Sequence, residues 1–475
     1  MSIAEDVASH VAEVWAREIV GPLEEYIRIP NVSVAYDESW EQAGHMDRAV
    51  NLVVTWCRQR RIQGMTLDVQ RIAGRTPVIV IEIPAFGSPT NRGTVLLYGH
   101  LDKQPEMSGW REGLGPWIPV IEGDRLYGRG GADDGYAAFA SLTAIEAVQA
   151  SGGSHARCVV LVEASEESGS IDLPAHLELL GDRLAGTNLV LCLDSGCLDY
   201  ERLWVTTSLR GLVGGVLTVE ILSEGVHSGS ASGVVPSSFR IVRSLLDRIE
   251  DVATGRILLP EFHVEIPTSR RHQAEEAAAV VGEYATTMPF VAGAVPMTAD
   301  PAEQLLAHTW RPVLSVVGAD GLPPTNRAGN VLRPYTSLRL SIRIPPTCDH
   351  HRAAAALERA LTENPPYGAR VTFDADHVGP AWSAPEFAPW LEASLHRASM
   401  SAFGTPARAF GEGGSIPFMG MLGERFPEAQ FVITGVLGPA SNAHGPNEFL
   451  HLPTARRVTE VLSHVLGDHA VQAGA

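Results

Sequence analysis

The sequence predicts an α/β protein whose mostly parallel sheet is sandwiched by helices, with a second, α+β domain inserted into it. Two observations favour this class. Apolar runs of strand length alternate with helix-like segments between residues 93 and 196, which is the pattern of parallel strands joined by helical crossovers. From Arg210 onward, strand and helix patterns follow in a different order, and the chain returns to the first pattern only after Pro380.

Hydrophobic periodicity defines the elements of the first domain. Apolar residues recur at helical spacing over 3–28, where Pro30 ends the pattern, and again over 43–62. Shorter apolar runs of strand length follow. In chain order, the remaining elements are strands MTLDVQRI and PVIVIEI, strand GTVLLYGHLD, helix 135–150, strand RCVVLVEA, helix 172–183 and strand TNLVLCLDSG.

The inserted domain is predicted to span residues 209–382, which leaves 1–208 and 383–475 for the first domain. Its elements, in chain order, are strand GLVGGVLTVEIL, helix 236–251, helix 273–286, strand YTSLRLSIRIP and helix 350–363. The first domain then resumes with helix 386–403, a Gly-rich loop, strand AQFVITGV, a loop that contains His444, and a helix from residue 453.

Composition excludes several classes of protein. The 475 residues are 45% hydrophobic and 19% charged, with a formal charge of −19, which opposes binding to nucleic acid or anionic membranes because both need a basic surface. The five cysteines show no CxxC spacing, so we expect buried thiols. No apolar run approaches the ~20 residues that span a bilayer, and the N-terminus lacks the pattern of a signal peptide. We therefore expect a cytoplasmic protein with a small ligand.

Acidic residues and a histidine cluster where the predicted strands end. Ligands of open α/β sheets bind at the carboxyl ends of the strands, and four consecutive elements deliver such side chains there. Any one of them alone has an ordinary explanation, such as a helix N-cap. Together they would be destabilising without a cation, because like charges converge on one sheet edge. The residues are His100, Asp102, Asp133, Glu166, Glu167 and Asp194.

Charge arithmetic limits the number of metal ions. One divalent ion cannot offset Asp133, Glu167 and Asp194 together, whereas two ions carry +4 against −3, and a bound hydroxide makes the site neutral. A carboxylate that bridges two ions holds them ~3.5–4 Å apart, and Asp133 is central in the order of elements. Nitrogen and oxygen ligands without thiolate favour zinc, with manganese or cobalt as possible substitutes.

Two pairs of residues indicate a division of roles. The side chains of Glu166 and Glu167 are adjacent in sequence and therefore diverge, so one can bind metal while the other faces a water as general base. His100 and Asp102 lie two residues apart on a strand and share a face. Asp102 can then accept a hydrogen bond from the imidazole and fix its tautomer.

Seven motifs resemble a known family of enzymes. They are LLYGHLDKQP, LYGRGGADDG, EASEESGS, LCLDSG, GVHSGSASG, EGGSIP and NAHGPNE. In this order, and over nearly the whole chain, they resemble the two-zinc exopeptidases that include cytosolic nonspecific dipeptidase, carnosinase, aminoacylase and glutamate-releasing carboxypeptidases. The segments HTWRPVLSVVGADG and SLRLSIRIPP are most similar to the dipeptidase and carnosinase branch.

The resemblance implies a zinc exopeptidase-like fold with a ligand set for each of two ions. His100 and Asp194 would hold one ion, and Glu167 and His444 would hold the other. Asp133 would bridge them, in agreement with the charge argument. His444 comes from the resemblance alone.

The resemblance also implies the catalytic groups. Glu166 would be the catalytic acid and base, and Asp102 the orienting carboxylate. The family joins its paired aspartates, here Asp133 and Asp134, through a cis peptide bond. The chain departs from the family pattern without losing a ligand at Lys103, Gly135, Tyr136, Arg333 and Gly411.

The inserted domain resembles the family's ferredoxin-like lid and dimerisation domain. A homodimer is implied, in which His227 would reach the partner's active site and stabilise the oxyanion in trans. Arg343 would grip a substrate carboxylate in a forked geometry. Gly414, Ser415 and Asn330 are further candidates for substrate binding.

These residues predict a dinuclear zinc metallopeptidase that cleaves dipeptides or short peptides, with Glu166 as general base toward a water that bridges the two metals. An N-acyl-amino-acid amidohydrolase, such as an aminoacylase, deacetylase or carbamoylase, is the alternative. A non-catalytic binding protein would have lost Glu166 or a ligand. A serine hydrolase is disfavoured because no GxSxG occurs. Nucleotide binding is disfavoured because GRGGAD lacks the third glycine of GxGxxG.

Overall fold

The computed structural model describes residues 3–414 and 416–472. Their contacts divide the chain into two units. The first consists of Met1–Thr207, Ala384–Phe410 and Met421–Ala475, and the second of Ser208–Ser383 and Gly411–Gly420.

The central sheet of the first unit is parallel in its middle and antiparallel at its edges. The four middle strands pair in parallel, and their burial on both faces explains the continuous apolar runs of the sequence. This confirms the predicted α/β class. In spatial order, seven of the nine strands of this sheet are Thr66–Gln70, Val78–Ile83, Arg157–Glu163, Thr94–His100, Thr187–Cys192, Gln430–Ile433 and Trp204–Leu209, and the other two are the short strands Trp382–Ser383 and Arg408–Glu412.

Helices supply most of the remaining core of the first unit. Ala137–Ala150 is buried on nearly every side, from Ala137 to Val148, because its alanines let neighbouring elements approach closely. The predicted helix 3–28 is interrupted by a π-helical turn at Trp15–Ile19. The α-helices are Ile3–Val14, Val20–Ile27, Trp40–Ala43, His45–Cys57, Ala137–Ala150, Leu173–Leu180, Pro389–Ala402 and Leu452–Ala470, while Pro417–Arg425 extends from the second unit into the first.

A small antiparallel sheet joins two loops of the first unit. Its strands are Val120–Glu122, Arg125–Tyr127 and Phe449–His451. The pairing of Tyr127 with Phe449 places the segment that begins at Gly128 beside the segment that ends at Glu448. These two segments carry Asp133 and His444.

The second unit is built on a four-stranded antiparallel sheet. In spatial order its strands are Val313–Asp320, Tyr335–Ile344, Gly211–Glu220 and Arg370–Gly379. Helices Ser238–Leu246 and His350–Thr362 bury apolar residues against it, which gives the α+β organisation that the sequence predicts. Smaller elements are strands Val226–His227, Val331–Leu332, Glu250–Asp251, Arg256–Ile257 and Trp382–Ser383, and helices Ser228–Ala231, Thr268–Val281 and Pro301–Thr309, with strand Arg408–Glu412 extending into it from the first unit.

The predicted helix 273–286 is displaced in the structure. The helix runs from Thr268 to Val281, and Gly282 follows with a φ of 73°. Glycine adopts this conformation without the steric cost that other residues meet, so it ends the helix. Residues Tyr284–Thr287 form a separate 3₁₀ turn.

The structure also bears on the cysteines and on the length and polarity of the helices. All five cysteines are free and buried, as predicted. None of the helices in the described part of the chain combines the length and apolar character needed to cross a membrane.

Candidate metal centre

Strand register brings the chemistry-bearing residues to one edge of the sheet. His100 ends its strand opposite Glu163, and Tyr98 lies opposite Cys192 on the other neighbour. Asp194 therefore follows its strand beside His100, and the acidic turn after Glu163 begins at the same edge. The carboxyl ends of parallel strands form the usual ligand site of such sheets.

One candidate group consists of His100, Asp133 and Asp194. The Nε2 atom of His100 lies 3.2 Å from Asp133 Oδ1 and 3.8 Å from Asp194 Oδ2. All three residues are buried. An imidazole nitrogen and two carboxylate oxygens converge here on one point, as the ligands of a zinc ion do.

A second candidate group consists of Asp133, Glu167 and His444. The Nε2 atom of His444 lies 3.0 Å from Asp133 Oδ2 and 3.3 Å from Glu167 Oε2. Asp133 therefore belongs to both groups and presents a different carboxylate oxygen to each. This arrangement is the one expected of a carboxylate that bridges two cations.

Electrostatics support a cation at each group. Burial lowers the pKa of His444, but Asp133 and Glu167 outweigh it and raise that pKa to about 9. Burial also lowers the pKa of His100, yet Asp102 and Asp133 raise it well above its ordinary value. The carboxylates thus stabilise positive charge at both imidazoles. A divalent cation would supply that charge in place of the imidazole protons, which would be released. The nitrogen and oxygen donors of the two groups fit zinc, manganese or cobalt.

The carboxylate of Asp102 holds the acidic turn in place. Its two oxygens accept hydrogen bonds from the backbone N–H groups of Glu166 and Glu167, at 3.0 and 2.9 Å. The Nδ1 atom of His100 lies closer to the backbone oxygen of Asp102, at 3.1 Å, than to its carboxylate, at 3.4 Å. Asp102 thus orients the imidazole partly through its carbonyl, while its carboxylate positions the turn.

Glu166 belongs to neither candidate group. It begins the 3₁₀ turn Glu166–Ser168 and is half-buried, with its backbone held by Asp102. Burial of its carboxyl group and the nearby charge of Asp194 raise its pKa well above the ordinary value. A carboxyl group with a raised pKa beside a metal centre is suited to carry a proton.

The paired aspartates are joined by a cis peptide bond between Asp133 and Asp134. Asp134 is fully buried, and its Oδ2 atom accepts a hydrogen bond from the backbone N–H of His100 at 3.4 Å. Asp133 projects into both groups, whereas Asp134 contacts the strand end behind them.

A buried ion pair that sequence reasoning missed links the two loops of the centre. The Nη1 atom of Arg129 donates to Glu448 Oε2 at 2.5 Å, and both side chains are almost completely buried. Arg129 Nη2 also donates to the backbone oxygen of His444, and Glu448 Oε1 accepts from the N–H of Gly130. The pair therefore fixes His444, whose φ is +63°, relative to the segment that carries Asp133.

A hydrogen bond to Glu167 was also missed. Gln104 Nε2 donates to Glu167 Oε2 at 2.7 Å, which orients the carboxylate toward its candidate group. Gln104 follows the predicted strand end by only a few residues, so the polar run after His100 was the available signal.

Two departures from the family pattern have structural roles. Lys103 is buried, and its ammonium group donates to the backbone oxygens of Tyr26 and Ile29 at 2.7 and 2.8 Å, where it caps the end of helix Val20–Ile27. Tyr136 is also buried, and its hydroxyl donates to the backbone oxygen of Leu193 at 2.7 Å. These side chains stabilise the elements that carry the centre.

The predicted substrate residues belong to the second unit. His227 and Asn330 are exposed and lie close together, because Ser228 N–H donates to the oxygen of Asn330 at 2.9 Å. Arg343 is half-buried near the end of its strand, and Gly414 is exposed. Ser415 lies outside the described residues.

The fold and the centre define a metal-dependent hydrolase of the α/β class. Residues 96–468 match the model of peptidase family M20/M25/M40. The chain belongs to this family and is a metallopeptidase, which confirms the resemblance drawn from its motifs.

Relatives of known sequence agree with this assignment, and a solved structure shares the fold. The chain is 27% identical over 398 residues to a cysteinylglycine-S-conjugate dipeptidase of Corynebacterium striatum, covering 82% of this chain and 83% of the relative. It is 27% identical over 363 residues to a Cys-Gly metallodipeptidase of Saccharomyces cerevisiae, covering 72% and 71%. The crystal structure of human carnosine dipeptidase 1 shares the fold, with a TM-score of 0.76, 22% identity and 99% coverage of each chain.

Proposed function

We propose that this chain hydrolyses the amide bond of dipeptides or short peptides. The observation that carries the proposal is the position of Asp133 between two candidate metal groups, with the carboxyl group of Glu166 close by. Relatives named as dipeptidases, which match most of the chain, support the same substrates. An N-acyl-amino-acid amidohydrolase would use the same groups, but the relatives that match most of the chain are named as dipeptidases.

The proposal assigns two divalent cations, most readily zinc, to the centre. His100 and Asp194 would hold one cation, Glu167 and His444 the other, and Asp133 both. When bound, such cations polarise the carbonyl oxygen of the substrate and lower the pKa of water.

Glu166 moves the proton in this scheme. Its carboxylate takes a proton from the attacking water and later delivers it to the amine nitrogen as the amide C–N bond breaks. The carboxyl group holds the proton between the two transfers. Asp102 keeps Glu166 in position through the hydrogen bond that its carboxylate accepts from the N–H of Glu166.

We assign the substrate's carboxylate to the second unit. Arg343 supplies a forked guanidinium group, which matches a carboxylate in shape and charge. Gly414 and Ser415 offer donors to the same group, and Asn330 is a further contact. The exposure of Asn330 and Gly414 leaves them accessible to a ligand.

A homodimer is also part of the proposal. His227 is exposed on the second unit, and in a dimer it would donate to the substrate carbonyl oxygen bound by the partner subunit. The edge strand Val313–Asp320 exposes 48% of Val316 and 62% of Val317. Exposed apolar residues on an edge strand are typical of surfaces that pair with another chain.

A reducing compartment, the cytoplasm, completes the proposal. All five cysteines are buried as free thiols. Free thiols are retained where glutathione and thioredoxin keep proteins reduced.

A substrate panel tests the proposed function. Protein reconstituted with zinc, manganese or cobalt is assayed against Cys-Gly, a β-alanyl dipeptide, other dipeptides and N-acetyl amino acids. We expect at least one dipeptide to be cleaved with kcat/KM in the ordinary enzyme range of ~10⁴ M⁻¹s⁻¹ or more, and a chelator to abolish the activity. Cleavage of N-acetyl amino acids alone, or activity that survives complete chelation, would contradict the proposal.

A further inference from the structure

Two arginines of the second unit lie together, and within the described part of the chain neither forms an ion pair with a carboxylate. Arg343 pairs with Leu212 across the antiparallel ladder, and Arg210 directly precedes the strand Gly211–Glu220. Residues offset by two on adjacent strands are diagonal neighbours on one face of a sheet. Consistent with this proximity, the charge of Arg343 adds to burial in lowering the pKa of Arg210 to about 10.

Arg210 is deeply buried, and only part of its hydrogen-bonding capacity is satisfied. Its residue is 7% exposed, and its Nε atom donates to the backbone oxygen of Gly413 at 3.1 Å. The Nη1 atom has no hydrogen-bond partner among the described residues. A buried guanidinium group that keeps its charge requires an acceptor, because desolvation is otherwise costly.

Two of the groups beside Arg210, the His308 imidazole and the Arg343 guanidinium, carry no negative charge. Burial, followed by the charges of Arg210 and Arg343, lowers the pKa of His308 to about 4, so its imidazole is neutral at pH 7. A Cβ atom added at Gly413 would lie 2.2 Å from His308 Cε1, which shows that the imidazole packs directly on this glycine. Burial alone lowers the pKa of Arg343.

We propose that Arg210 is a second arginine for the substrate's carboxylate, beside Arg343. The inference rests on the proposed function, which takes a substrate with a free carboxylate. A carboxylate offers about four acceptor sites and one negative charge, so it satisfies Nη1 and reduces the repulsion between the two guanidinium groups. Arg210 also donates a hydrogen bond to the backbone oxygen of Gly413. This bond positions Gly414, whose N–H is a candidate donor to the same carboxylate.

Paired substrates test this inference. A dipeptide that the enzyme cleaves is compared with its C-terminal amide, using wild type, Arg210→Gln and Arg210→Lys. Because Arg210→Gln removes a hydrogen-bonded charge, it should raise KM for the dipeptide roughly 10- to 100-fold. The kcat for the dipeptide should stay within about 3-fold of wild type, and KM for the amide should be nearly unchanged. Arg210→Lys keeps the positive charge but lacks the forked pair of donors of a guanidinium group. Its KM for the dipeptide should therefore lie between those of wild type and Arg210→Gln. Arg271→Gln, an exposed position on helix Thr268–Val281, is the matched control.

The outcomes separate this inference from the proposed function. If wild type cleaves no dipeptide, the proposed function fails, and titration calorimetry with the dipeptide and its amide still reports whether Arg210 binds a carboxylate. Equal KM or Kd for wild type and Arg210→Gln, with an unchanged thermal unfolding midpoint, would overturn the role of Arg210 alone. Should Arg210→Gln fail to fold, an unchanged KM for Arg210→Lys gives the same negative answer.

Discussion

Glu166→Gln should abolish turnover while the protein keeps its metal. The substitution preserves volume and removes only the ability to carry a proton. Because Glu166 belongs to neither candidate metal group, the metal content should equal that of wild type. General acid and base catalysis contributes ~10²–10⁴-fold, so kcat on the best dipeptide should fall by at least two orders of magnitude.

The control for this experiment is Glu178→Gln, an exposed glutamate on helix Leu173–Leu180. Its kcat should match that of wild type. Wild-type turnover in Glu166→Gln, measured on protein with full metal content, would show that another group moves the proton.

Asp133→Asn should release both metal ions at once. Asp133 contributes one carboxylate oxygen to each candidate group, and an amide lacks the charge that holds a divalent cation. Even the loss of an outer hydrogen-bond partner costs ~10–100-fold in metal affinity, so the loss of a shared ligand should exceed this at both groups. The metal content after dialysis against buffered free zinc is measured by mass spectrometry.

Asp194→Asn provides the comparison for Asp133→Asn, because Asp194 belongs to one group only. Asp194→Asn should lower the affinity for one metal ion and leave the affinity for the other unchanged. Two ions retained in Asp133→Asn, at free zinc levels that just saturate wild type, would mean that Asp133 does not bridge.

The parallel sheet and the acidic edge could be predicted because their signals are local. Strands such as Thr94–His100 are buried along their whole length, so each appears as a continuous apolar run that stops where the ligand begins. Parallel pairing then brings those ends together without further information. His100, Asp194 and the adjacent pair Glu166 and Glu167 followed from this reasoning, whereas the choice of Glu167 as the ligand came from the family resemblance.

Other elements could not be predicted because their burial is irregular. Strand Val313–Asp320 is partly or fully exposed at every residue, and in strand Arg370–Gly379 only Phe373 is buried. Neither shows the alternation that identifies a strand. Helix Pro301–Thr309 was missed although Asp300 caps its first turn, a signal that the sequence does contain.

The loop that carries His444 depends on contacts between distant residues. Arg129 and Glu448 are 319 positions apart, and their pairing is set by the small antiparallel sheet that joins Tyr127 to Phe449. No local pattern identifies such a pair. His444 itself was found only through the resemblance of its motif to a family.

Anomalous diffraction from crystals grown with saturating zinc tests the metal centre most directly. We expect two zinc peaks ~3.5–4 Å apart, one bound by His100 and Asp194 and the other by Glu167 and His444, with one oxygen of Asp133 on each. A single peak, or peaks away from these five side chains, would contradict the account.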